Sequence, residues 1–141
     1  MLTKDDIERI LEKYPWLPKP KYIYILNAPI IYPELRAKII GINPAYERQT
    51  VILSSDADEE TLVHECIHVA GLGEIAAYGL APRIVKFRKF VPPLVKKKVR
   101  YEERTLTSDE MKRYGLYAFK WADGYIPAKL EVKVLELKNS S

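Results

Sequence analysis

Histidine, cysteine and the side-chain amides are scarce in this 141-residue chain: two His, one Cys, three Asn and one Gln. A lone cysteine cannot close an internal disulfide, which points to a reducing compartment or to indifference to redox state. The same count excludes zinc fingers and ribbons, which take four Cys or His ligands. His64, Cys66 and His68 all fall within five residues, so any Ser–His or Cys–His hydrolase would have to borrow a histidine from that one cluster. Long apolar runs are missing too. The longest uncharged stretch, Tyr22 to Pro33, is broken by Asn27 and Pro29, whereas a membrane-spanning helix needs about 20 apolar residues. Lys4, Asp5 and Asp6 stand where a signal peptide would carry its apolar segment. The expectation is an intracellular, cytoplasmic protein with no membrane partner.

What is present describes one domain over residues 1–141, with 48% hydrophobic and 30% charged residues. A chain of this length buries roughly two-thirds of its unfolded surface, enough to fold without disulfides or a structural metal. Amides are few against 13 Glu, 15 Lys and 8 Arg, a balance that fits a thermophile, where ion pairs replace thermolabile side chains.

Local patterns predict the elements. Thr3 with Asp6 forms a capping box ahead of an apolar face at Ile7, Ile10, Leu11 and Tyr14. Pro15, Pro18 and Pro20 end that helix. Tyr22–Leu26, aromatic and β-branched, reads as a strand. The runs Lys38–Ile42 and Gln49–Leu53 flank a turn-like Asn43–Arg48 and predict a hairpin. Asp56 with Glu59 resembles a second capping box, for a helix over about 57–70 that stops at Gly71. A further helix begins near Glu74 and is interrupted around Pro82. Val95 to Leu106 reads as a strand. Thr107 with Glu110 opens a helix placing Met111, Tyr114, Ala118 and Trp121 on one side, Asp123-Gly124 makes a turn, and Leu130, Val132 and Val134 alternate as a half-buried strand. The fold class expected is α+β: a short mixed sheet packed on a helix, followed by a C-terminal helix and strands.

Chemistry concentrates at His64-Glu65-Cys66-Ile67-His68, the HExxH pattern on a predicted helix. Residues four apart share a helix face, so both imidazoles can bind one ion at about 2.0–2.1 Å. Glu65, one step round, reaches a water on that ion without being a ligand. Cys66 lies about 200° from either histidine, on the opposite face, where it serves as a small buried hydrophobe rather than a nucleophile. A catalytic zinc takes three protein ligands and keeps one open position, and no third histidine exists. The third ligand is therefore a carboxylate, a less usual donor, or absent. Glu74 is the leading candidate because Gly71 and Gly73 reverse the chain just before it; Glu102, Glu103, Asp109 and Asp123 remain open alternatives.

These residues resemble the zincin metallopeptidases. The run HECIHVAGLGE is similar to the metzincin signature HExxHxxGxxH, with Glu74 where that family has its third histidine and with Met111 a poor match to its methionine turn. It also resembles the gluzincins, whose third ligand is a glutamate on a following helix, and the small size is similar to the minimal archaeal members. The gap from His68 to Glu74 is very short for that pattern. The resemblance covers about Lys38 to Tyr78. It implies a Zn2+ peptidase acting on peptides or proteins, with His64, His68 and Glu74 as ligands and Glu65 as general base toward a metal-activated water. It also implies a second oxyanion donor, for which Tyr46, Tyr78 and Tyr101 are candidates, and an edge strand, Gln49 to Leu53, for docking an extended peptide.

Charge is uneven. Between Arg83 and Arg104 nine basic residues face two acids, so that segment carries +7 and the rest of the chain −3 of the net +4. Lys96–Arg100 with Phe87 and Phe90 nearby would suit a phosphate-binding patch. A solvated face is the favoured reading, since no nucleic-acid motif accompanies it. The alternative function is a non-catalytic, metal-stabilised interaction protein, associated with nucleic acid through residues 83–104. A purely structural metal has no use for Glu65.

Overall fold

The structure is a computed structural model that describes residues 1–32, 37–39, 41–42, 49–88, 98–106 and 131–139. Elements run in the order α1 (Lys4–Lys13), β1 (Tyr22–Leu26), β2 (Ile30–Tyr32), β3 (Ala37–Ile39), β4 (Gly41–Ile42), β5 (Thr50–Leu53), α2 (Glu59–Val69), α3 (Glu74–Arg88), β6 (Arg100–Thr105) and β7 (Val132–Asn139). The protein is an α+β domain.

Five strands form one mixed sheet in the order β4-β5-β1-β7-β6, and β2 and β3 form a separate two-stranded ribbon. The central strand β1 pairs parallel to β5 and antiparallel to β7. Its alternation sorts the apolar residues. Ile23 and Ile25 join Val51, Leu53 and Leu135 beneath α1 and α2. Leu26, Ile52, Val132 and Val134 belong to the opposite face and are also buried.

Helix α1 forms as its pattern predicts. Thr3 accepts from the Asp6 N–H while the Asp6 carboxylate accepts from the Thr3 N–H, at 3.1 and 3.0 Å. Ile7, Ile10, Leu11 and Tyr14 are buried as one stripe. At its inner side Glu8 accepts from the Tyr101 N–H at 2.8 Å, and Glu12 accepts from the Val99 N–H at 3.1 Å. These carboxylates take one backbone donor of β6 and one from the residue just before it, and so tie the helix to the sheet.

Several expectations change in detail. The predicted hairpin is divided: β4 pairs with β5, but β3 pairs with β2. Gln49–Leu53 is consequently not an edge strand, because β5 has β1 on one side and β4 on the other; among the described strands β4 is outermost. Helix α2 is capped by Asp58, which accepts from the Thr61 N–H at 2.9 Å, rather than by Asp56. The turn Ser54–Ala57, closed by Ala57 N–H to Ser54 C=O at 3.2 Å, holds Asp56 outside the helix. Helix α3 continues through Pro82 instead of breaking there. Of the strand expected over Val95–Leu106, Arg100–Thr105 forms β6, and residues 95–97 lie outside the described residues. Residues Thr107–Glu110, Met111, Tyr114, Ala118, Trp121, the Asp123-Gly124 turn and Leu130 lie outside the described residues. No helix among the described residues is long and apolar enough to cross a membrane.

Candidate metal centre

Helix α2 sets the site by burying most of its circumference. Leu62, Val63, Cys66, Ile67 and Val69 pack into the core, which leaves His64 and His68 side by side, one turn apart, on the side toward α3. The helix ends in a Schellman motif: Gly71 at φ 94°, with the Leu72 N–H on the Ile67 carbonyl at 3.3 Å and the Gly71 N–H on the His68 carbonyl at 2.8 Å. That reversal starts α3 at Glu74 and returns its carboxylate over the two imidazoles.

The three donor atoms converge. His64 Nε2 lies 3.2 Å from His68 Nε2 and 3.2 Å from Glu74 Oε1, and Glu74 Oε1 also contacts His68 Nε2 directly. Ligands on a tetrahedral ion at about 2.0–2.1 Å stand about 3.3 Å apart, and the two separations of 3.2 Å are of that size, whereas Glu74 and His68 are paired directly. His68 Nδ1 donates to the Leu72 carbonyl at 2.9 Å, which fixes the ring's orientation and leaves Nε2 facing the Glu74 carboxylate.

Glu65 stands beside this group, with a carboxylate oxygen within 4.8 Å of a ring nitrogen of each histidine. It is only 2% exposed, and its Oε2 is buried without a hydrogen-bond partner. Burial, reinforced by the negative charge of Glu74, pushes its carboxyl up to about 8. Glu74 moves the other way. Its partial burial opposes ionisation, but the hydrogen bonds and charges of His64 and then His68 together bring it below the ordinary carboxylate value. Two carboxyl groups of one type are thus pushed in opposite directions by their surroundings.

The remaining candidates separate. Tyr78 borders the cluster: one turn beyond Glu74 on α3, it sets its ring edge-on to His64 at 4.7 Å between centroids, with most of the side chain exposed. Tyr101 does not belong to the site. Its buried hydroxyl donates to the Pro20 carbonyl at 2.6 Å, fixing β6 to the segment before β1, and burial pushes its ionisation far above the ordinary phenol value. Tyr46 lies outside the described residues. The alternative third ligands Glu102 and Glu103 are on β6, ion-paired to Lys138 and to Lys133 (3.4 Å for the latter), so neither joins the histidines. Asp109 and Asp123 lie outside the described residues. Cys66 is fully buried and its thiol is pushed up to about 12, the behaviour of an inert packing residue. Of the basic segment, Arg83 and Lys86 are exposed on α3 and Arg100 is bonded to Glu12 at 3.0 Å; residues 89–97 lie outside the described residues.

Two contributors have little sequence signature. The Leu72 carbonyl acts through its backbone, so its residue type is immaterial. Gly41 approaches Glu65 from β4, and only an isolated glycine in an apolar run hints at such a close backbone approach. No known protein family, curated protein or solved structure matches the chain.

Proposed function

We propose that this protein is a zinc-dependent peptidase whose metal is held by His64, His68 and Glu74 and whose general base is Glu65. The observation that carries the reading is the convergence of two imidazole Nε2 atoms and one carboxylate oxygen beside a buried, unpartnered glutamate. A zinc ion in that shell supplies Lewis-acid chemistry toward water and a peptide carbonyl, and its positive charge favours the ionised form of Glu65.

The protein's own residues do the rest. The His68 Nδ1 bond to the Leu72 carbonyl holds the ring in the tautomer and orientation that a ligand needs. The Glu65 carboxylate takes the proton from the attacking water and delivers it to the leaving amine, within the reach its position permits. Tyr78, whose ring meets His64 edge-on and which is open to solvent, is our candidate for the oxyanion donor. An extended peptide adding to β4 would run along the sheet edge nearest α2.

Glu65→Gln separates hydrolysis from metal binding. The variant is expected to retain one zinc per chain while peptide turnover falls by about 10²–10⁴. Unchanged turnover would remove Glu65 from the mechanism. Glu74→Ala should weaken zinc binding by more than about 100-fold, beyond the usual effect of losing an outer partner of a ligand. Wild-type affinity in that variant would move the third-ligand role elsewhere.

A further inference from the structure

Gly41 lies in β4, the two-residue strand outermost among those described, and packs directly on α2. A Cβ at this position would meet Thr61 Cγ2 at 2.8 Å, Glu65 Cγ at 3.1 Å and Leu53 Cδ2 at 3.4 Å. Thr61 and Glu65 are one turn apart on α2, so the bare strand backbone fills the gap between their side chains. The φ of Gly41 is not in the left-handed region, so the backbone itself tolerates alanine; clearance is what demands glycine. Glu65 Oε2 has no hydrogen-bond partner, so the packing of its methylenes contributes to the direction of its carboxylate.

From this contact we infer that Gly41 is a positioning residue for Glu65: the absent side chain lets β4 close over the Glu65 methylene and hold its carboxylate toward His64 and His68. The inference rests on the proposed peptidase reading for its consequence in turnover, but not for the placement itself. None of the three atoms nearest to a Cβ at 41 belongs to His64, His68 or Glu74, so placement of the base and binding of the ion can be tested separately. A side chain at 41 drives Glu65 Cγ away by a few tenths of an ångström, and about 1 Å of misplacement in such a site costs about 100-fold.

The test compares wild type, Gly41→Ala, Thr61→Ser and the Gly41→Ala/Thr61→Ser double variant. Thr61→Ser deletes the Cγ2 that forms the nearest clash but keeps the hydroxyl that donates to Asp58 at 2.8 Å. Gly41→Ala should lower the thermal midpoint, and in the Thr61→Ser background the same change should cost much less, since the nearest clash is gone. The contact with Glu65 persists in the double variant. Its kcat is expected to stay about tenfold below that of Thr61→Ser, with KM within about twofold and zinc still one per chain. The Glu65 carboxyl ¹³C resonance of zinc-loaded protein, assigned with Glu65→Gln, should move while the histidine ring resonances hold.

Recovery of kcat to the Thr61→Ser value, or loss of zinc alongside kcat, would reduce Gly41 to a structural residue. An unmoved Glu65 resonance would overturn the placement outright. If no variant, wild type included, hydrolysed any peptide while the resonance shifted as expected, the peptidase reading would fall and the placement of Glu65 would stand.

Discussion

Glu65 combines near-complete burial, an orphaned oxygen and a raised carboxyl, and those properties make it a source of pH-dependent stability. In the metal-free protein its ionisation moves from the ordinary 4.5 to about 8. Between those values the folded state holds a proton that the unfolded chain has released, so stability falls as pH rises through the window. Metal-free Glu65→Gln should lose that dependence, and chemical denaturation at a series of pH values from about 4 to 9 checks it; a parallel pH slope in wild type and variant would contradict the account. At this scale His64, Glu65 and His68 were legible because a spacing of four is a statement about one helix face, independent of the rest of the fold. Glu74 was legible through the glycines before it. Tyr78 and Tyr101 could not be told apart, because nothing in local sequence says which tyrosine hydroxyl is spent on a distant carbonyl.

Elements place those residues through their ends more than through their middles. The terminus of α2 does two things at once: Gly71 turns the chain, and the turn brings the Leu72 carbonyl to His68 Nδ1 and Glu74 to both histidines. At φ 94° an L side chain is strained by roughly 1–2 kcal/mol. Gly71→Ala is therefore expected to lose about that much stability and also to weaken zinc binding, read by denaturant titration and by competition with a chelator. Loss of stability with unaltered zinc affinity would show that the turn is not what positions the ligands. The stop at Gly71 was readable because glycine is cheap in the left-handed region. The start was read two residues early, since Asp56 and Asp58 are equally good caps in isolation and the Ser54–Ala57 turn decides between them. Pro82 misled for a related reason. A proline interior to a helix forfeits one bond, to the carbonyl four residues back, and here both Pro82 and Tyr78 lie on the exposed side, where solvent can take that carbonyl.

Whole-molecule order was the least legible level. The α+β class followed from the succession of patterns, but β1 lies between β5 and β7, the latter more than a hundred residues later in the chain, and no local period encodes that pairing. The same long-range assembly explains why Gln49–Leu53 is flanked on both sides and why Glu8 and Glu12 of α1 meet Tyr101 and Val99. Tyr101 belongs to this level, holding β6 against Pro20 on behalf of the core. Tyr101→Phe should cost about 1 kcal/mol of stability while leaving zinc content and peptide turnover at wild-type values. A selective loss of kcat in that variant would return Tyr101 to the site. Glu8→Ala, which strips the buried Tyr101 N–H of its acceptor, should cost about 1–3 kcal/mol by denaturant unfolding, again without effect on zinc.

The central claim is an open three-ligand metal centre with a buried base beside it. Anomalous scattering at the zinc edge from crystals of zinc-loaded protein tests it most directly. The account predicts one ion at full occupancy, bound by His64 Nε2, His68 Nε2 and a Glu74 oxygen, with the remaining position facing solvent and Glu65 outside the coordination shell. An ion closed by four protein ligands, an ion bound without Glu74, or no peak between α2 and α3 would contradict it.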